Sequence, residues 1–214
     1  MDSAIPIIFQ IAVLIFSVVI HEVSHGYAAL ALGDKTAQYE GRLTLNPVKH
    51  ADLFGSIILP LLLVITRSFF LIAWAKPVPY NPYNLRNQKW GPAVVGAAGP
   101  AANLFIALLF GLFIRFVPSA MAGSTGLFVL NFITIASTIA IVNIMLAIFN
   151  LIPIPPLDGS KVLFAILPYS WRSVQWFLEQ YGFFILLIFI FFFSRWLVPV
   201  ALTLFRLITG TLPF

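Results

Sequence analysis

Cysteine is absent from this sequence, and charge is scarce: Asp, Glu, Lys and Arg together make up 9% of its 214 residues. The first absence excludes disulfides and thiolate metal sites and leaves the redox compartment open. The second excludes an ordinary soluble domain, which carries roughly a quarter charged residues. Acids are fewer than bases, seven against twelve. Hydrophobic residues make up 61% and mean hydropathy is +1.01, so the bilayer is the expected solvent. The net charge of +5 does not point to nucleic acid, because Lys35, Arg42, Lys49, Lys76, Arg86, Lys89, Lys161 and Arg172 lie between apolar runs. There they read as orientation and headgroup contacts, and nucleic acid is not an expected partner. A removable signal peptide is not expected either: the first apolar run follows Met1-Asp2-Ser3 without a basic leader and itself contains His and Glu.

That run covers 5–32, whose 28 residues would extend about 42 Å as a helix, enough to cross the bilayer. Gly33-Asp34 stops it. The polar stretch 34–50 contains Arg42-Leu43-Thr44-Leu45, whose alternation between Gly41 and Asn46-Pro47 reads as an edge strand or hairpin. Residues 53–66 are apolar but hold Pro60 and end at Arg67; 69–75 are apolar again, and 77–92 is rich in Pro and Asn. Clear spans follow at 93–117 and 127–150, joined by the uncharged 118–126. A proline-rich turn and a polar stretch to Gln180 precede a last apolar run, 181–208, interrupted by Arg195 and Pro199.

Orientation constrains this list. The basic loops 33–51, 76–92 and 151–180 should all face the cytoplasm. A full crossing by 53–75 would put the first two on opposite sides, so 53–75 is expected to be re-entrant. Non-helical backbone at that depth must be buried in protein or line a wet cavity.

His21-Glu22-Val23-Ser24-His25 is an HExxH pattern inside the first apolar run. Positions i and i+4 share a helix face, so both imidazoles can reach one zinc, with Glu22 beside it to accept a proton from water. The alternative is a polar helix end facing a loop. It fits poorly, because apolar residues lie on both sides and each ionisable group at this depth costs on the order of 2.5–3.5 kcal/mol. Two His leave room for a third protein ligand. Apart from Glu22 the acids are Asp2, Asp34, Glu40, Asp52, Asp158 and Glu179. Asp158 stands in Asn150-Leu-Ile-Pro-Ile-Pro-Pro-Leu-Asp158-Gly159, after a span that its prolines must unwind. Spans 5–32 and 127–150 should run toward the same side, which brings Asp158 near His21 and His25. Asp158 could instead cap a helix starting at Gly159, and spacing alone leaves that open. His50 is a rival ligand, although Asn46-Pro47 and Asp52 suggest a turn there. Asn103 and Asn143 read as residues that pack or tie spans together.

HEVSH in a membrane helix, Gly99-Pro100-Ala101-Ala102-Asn103 and Phe149-Asn150-Leu-Ile-Pro-Ile-Pro-Pro-Leu-Asp158-Gly159 together resemble the site-2 protease family of intramembrane zinc metalloproteases (peptidase family M50). Arg42-Leu-Thr-Leu-Asn-Pro47, Gly55-Ser56 and Trp74-Ala-Lys-Pro-Val-Pro79 resemble its compact branch, without PDZ or CBS domains. The likeness covers roughly 10–167. It implies that His21, His25 and Asp158 bind one zinc, that Glu22 is the catalytic base and that Asn150 binds the substrate carbonyl or its oxyanion. It also implies that 41–45 and 74–79 form a small membrane-embedded β-sheet whose edge, Arg42 to Leu45, pairs with an unwound substrate.

The expectation is therefore an α-helical polytopic membrane protein with four to five transmembrane helices, a re-entrant segment and that small sheet. One metalloprotease domain fills 1–214, with a catalytic core over about 5–167 and C-terminal membrane helices over about 181–208. Its substrates would be transmembrane proteins or peptides. Its place would be a prokaryotic cytoplasmic membrane, with the active site toward the cytoplasm. Two rivals are weaker: a non-catalytic scaffold would have no use for Glu22, and a transporter should show an internal repeat, which is absent.

Overall fold

The computed structural model of the chain describes residues 4–52, 58, 76–120 and 127–212. Four helices among them are long and apolar enough to cross a membrane. The first, α1, spans Ala4–Ala31. Gly33 ends it with φ 109°, a left-handed conformation open to glycine at little cost. A single turn, α2 (Thr36–Tyr39), follows, and then a 3-10 turn over Pro47–Lys49 whose Val48 N–H is accepted by the Asn46 side chain.

Helix α3 (Gly91–Ala120) opens with Asn87 accepting from Lys89 and Trp90 N–H, and with Pro92, whose missing N–H costs nothing in a first turn. Helix α4 (Leu127–Asn150) stops where Pro153, Pro155 and Pro156 follow. A short α5 (Asp158–Ile166) leads to α6 (Arg172–Phe193) and α7 (Leu197–Thr209), separated by a turn over Ser194–Trp196. Helix α6 thus begins earlier than the expected 181, because Val174, Trp176 and Phe177 extend its apolar surface and Gln175 donates to Glu179 one turn on.

Small residues let the spans approach. Ala107 and Ile114 of α3, Ala136, Ala140 and Ile144 of α4, and Ala201 and Phe205 of α7 form one buried cluster. The outward faces are apolar as well: Ile11, Leu14 and Phe16 on α1, Phe105 and Phe113 on α3, and Phe183, Phe184 and Phe191 on α6 are exposed. A hydrocarbon solvent is what such surfaces require, and the chain is an integral membrane protein. Helix α6 is the most exposed; only Gly182 and Leu186 are buried, and Gly182 backs onto Pro155.

No strand occurs among the described residues, which corrects the expected sheet over 41–45 and 76–79; residues 74 and 75 of that expectation lie outside the described residues. The two segments do meet, but side-chain bonds join them where a ladder was anticipated. Arg42 Nη2 donates to the carbonyls of Lys76 (2.7 Å) and Pro77 (3.2 Å), and the one backbone bond to this stretch among the described residues, from the Lys76 N–H to the His50 carbonyl (2.9 Å), goes beyond 41–45. Pro77 and Pro79 offer no N–H, so a ladder has too few donors there. The expected re-entrant segment 53–75 lies outside the described residues, apart from Ile58.

Candidate metal centre and active site

His21 and His25 lie one turn apart on α1, the first of them about 26 Å along the helix. Facing them on α3 is another stripe at four-residue spacing: Val95, Gly99 and Asn103. His25 Nδ1 donates to the Val95 carbonyl (2.6 Å) and His21 Nδ1 to Asn103 Oδ1 (2.5 Å), so α1 and α3 run antiparallel. Gly99 sits beneath both rings. A Cβ there would lie 2.6 Å from His21 Cε1 and Nε2 and from His25 Cε1.

Both acceptors fix the tautomer. Asn103 directs its oxygen at His21 because its Nδ2 already donates to Asn143 Oδ1 (2.7 Å) and the Ser17 carbonyl (3.3 Å). Carbonyl oxygens cannot donate, so each Nδ1 carries the hydrogen and each Nε2 presents a lone pair. Asn143 in turn donates to Ser17 Oγ (2.9 Å) and the Ile139 carbonyl (2.9 Å), closing a buried polar chain across α1, α3 and α4.

Asp158 comes from the far side. The turn 151–157 delivers it as the first residue of α5, with Leu157 at the N-cap and no capping bond from a side chain. The cap reading is therefore not realised; the carboxylate points at the histidines. Its Oδ2 stands 3.0 Å from His21 Nε2 and 3.1 Å from His25 Nε2, while Oδ1 accepts from Lys161 Nζ (2.9 Å). All three side chains are buried.

Three lone pairs converging on one buried point need a cation between them. Atoms bound to a tetrahedral zinc at about 2.0–2.1 Å stand roughly 3.3 Å apart, near the spacings found here. Among the described residues His21, His25 and Asp158 form a group able to hold a metal ion. His50 is not part of it: it is buried elsewhere, with Nε2 donating to the Thr44 carbonyl (2.8 Å).

A cavity of about 380 Å³ opens on this group, lined also by Val18, Glu22, Pro77, Val78, Tyr80 and Asn150. Glu22 Oε2 accepts from the Val78 N–H (2.9 Å). Asn150 uses one amide hydrogen on the Leu146 carbonyl (3.0 Å) and keeps a second for the cavity. Of the expected substrate strand, Arg42 is buried, Leu43 packs over Gly26 of α1, Thr44 is half-buried and Leu45 is exposed. Asn103, Gly99 and Lys161 were not singled out for this site from the sequence. A signal existed in the four-residue repeat of Val95, Gly99 and Asn103, which matches the spacing of the two histidines.

Comparison with known proteins agrees. A family model described as peptidase family M50 matches residues 118–193, which include Asn150 and Asp158. "Putative zinc metalloprotease YwhC" of Bacillus subtilis is 36% identical over 186 residues, covering 84% of this chain and 78% of the relative. "Putative zinc metalloprotease Rip2" of Mycolicibacterium smegmatis is 32% identical over 158 residues, and its namesake in Mycobacterium tuberculosis 28%. The chain spans only 56% of the length of each of these two. No solved structure matches.

Proposed function

The chain belongs to peptidase family M50 and is a zinc metallopeptidase, and on that premise we propose that it cleaves peptide bonds in or beside the transmembrane segments of other membrane proteins, as a step of regulated intramembrane proteolysis. One observation carries the reading: a histidine pair, an aspartate and a glutamate share one cavity beside helices apolar enough to cross a membrane, where ionisable groups are otherwise costly.

His21, His25 and Asp158 would hold the metal. Zinc in such a site supplies Lewis acidity at the scissile carbonyl and lowers the pKa of water toward 7. Glu22, pinned through Oε2, has a second oxygen with which to accept the proton of the attacking water and pass it to the leaving amine. The remaining amide hydrogen of Asn150 would donate to the oxyanion. An extended substrate would lie along 42–45, where Thr44 is half-buried and Leu45 exposed. The basic loops support a prokaryotic cytoplasmic membrane, with the cavity toward the cytoplasm.

The test is Glu22→Gln in purified protein. It should retain zinc while cleavage of a single-span substrate falls by at least about 10³-fold, as expected for loss of the base. Turnover close to that of the natural protein would remove Glu22 from this role.

A further inference from the structure

The segment Lys76-Pro77-Val78-Pro79 has one peculiarity of composition. Proline has no N–H, so Val78 carries the only backbone hydrogen between 77 and 79. That hydrogen goes to Glu22 Oε2. No helix or ladder holds the segment, so something else must keep it in place.

Arg42 does so. Its guanidinium is buried and donates from Nη1 to the Lys49 carbonyl (2.5 Å) and from Nη2 to those of Lys76 and Pro77. One planar fork thus joins 42–50 to the residues immediately before Val78, which a lysine ammonium, a point charge, would do poorly. Both segments then press on α1 one turn beyond Glu22. A Cβ on Gly26 would lie 2.5 Å from Leu43 Cδ2 and 2.9 Å from Val78 Cγ1.

We propose that Arg42 is a positioning residue for the proteolytic reaction: it fixes Pro77-Val78 so that the Val78 N–H holds the Glu22 carboxylate in place. The proposal rests on the reading of Glu22 as the base. It gives Arg42 a role other than substrate binding, and gives the Pro-Val-Pro run a reason: it concentrates the hydrogen-bonding of this stretch in one donor.

Amide hydrogen exchange tests this without requiring turnover, because the prolines isolate Val78 as a single exchanging site. In the natural protein Val78 should exchange slowly. In Glu22→Ala and in Arg42→Ala it should exchange at least about 10-fold faster, while the α3–α4 core stays protected. Arg42→Lys should fall between and serves if Arg42→Ala does not fold. Unchanged Val78 exchange in the folded Arg42 variant overturns the proposal, as does fast exchange in the natural protein. A second arm follows hydrolysis of a quenched-fluorescent apolar peptide. Loss of Arg42 should lower kcat about 10-fold or more with KM within about twofold and zinc retained. A raised KM with unchanged kcat would make Arg42 a substrate contact. Should the natural protein fail to cleave at all, the protease reading falls, while the exchange arm still decides what Arg42 does.

Discussion

Both carboxylates of the site are held by one oxygen and leave the other for chemistry. Lys161 takes Asp158 Oδ1, and the Val78 amide takes Glu22 Oε2. The histidines are treated alike, with Nδ1 spent on protein and Nε2 kept for metal. Replacing Asn103 by Leu removes the acceptor that sets the His21 tautomer and should weaken zinc binding about 10–100-fold by chelator competition. Unaltered affinity would show that the ring needs no such partner. Asp34 is a separate case, buried at the end of α1 and outside the spans. Burial works against its charge, but donation from Thr36, Asn84 and the Asn81 N–H outweighs it and holds the carboxyl below its ordinary 3.8. Its contribution to stability is therefore complete above that value and is lost as pH falls below it. Asp34→Asn should destabilise at pH 7 and narrow the gap to the natural protein at pH 3 in thermal melts. The HExxH residues and Asp158 were legible in the sequence because charge is rare enough here to stand out. Asn103 was not, since a metal-orienting amide and a packing amide look alike until the facing helix is known.

At the scale of elements, α1 and α3 meet through matched four-residue stripes, and Gly99 allows the approach. Gly99→Ala would thrust a Cβ against both imidazoles, which cannot retreat because each Nδ1 is bonded. We expect loss of most bound zinc and about 1–3 kcal/mol of destabilisation from overpacking. Full zinc occupancy in that variant would mean the helices can separate freely. The spans over 4–31, 91–120 and 127–150 were readable within a few residues, since length and apolarity decide them. The segment 41–45 reads as a strand in the sequence but is none, because its alternation arises from Arg42 turning inward to carbonyls and Leu43 packing on Gly26.

Across the whole molecule, the end of α1, the start of α3 and the end of α4 lie at one end of the bundle, as the bond from Ser17 to Asn143, the contacts of His21 and His25 with Asp158 just beyond α4, and the bond from His25 to Val95 together require. The bond from Lys76 to His50 places both borders of 53–75 there too. The natural chain has no cysteine, so single cysteines at Lys35, Lys89 and Arg172, all exposed, can be labelled cleanly. An impermeant maleimide should reach all three from the same side of the membrane; a split result would break the topology. The central claim is that three side chains brought from α1 and α5 make one zinc site. Metal content of the purified natural protein and of Asp158→Ala, by elemental mass spectrometry, tests it most directly. About one zinc per chain, falling sharply in the variant, is the result expected of a three-ligand site. Zinc that survives the loss of Asp158, or a natural protein that takes up none when zinc is supplied, would contradict it.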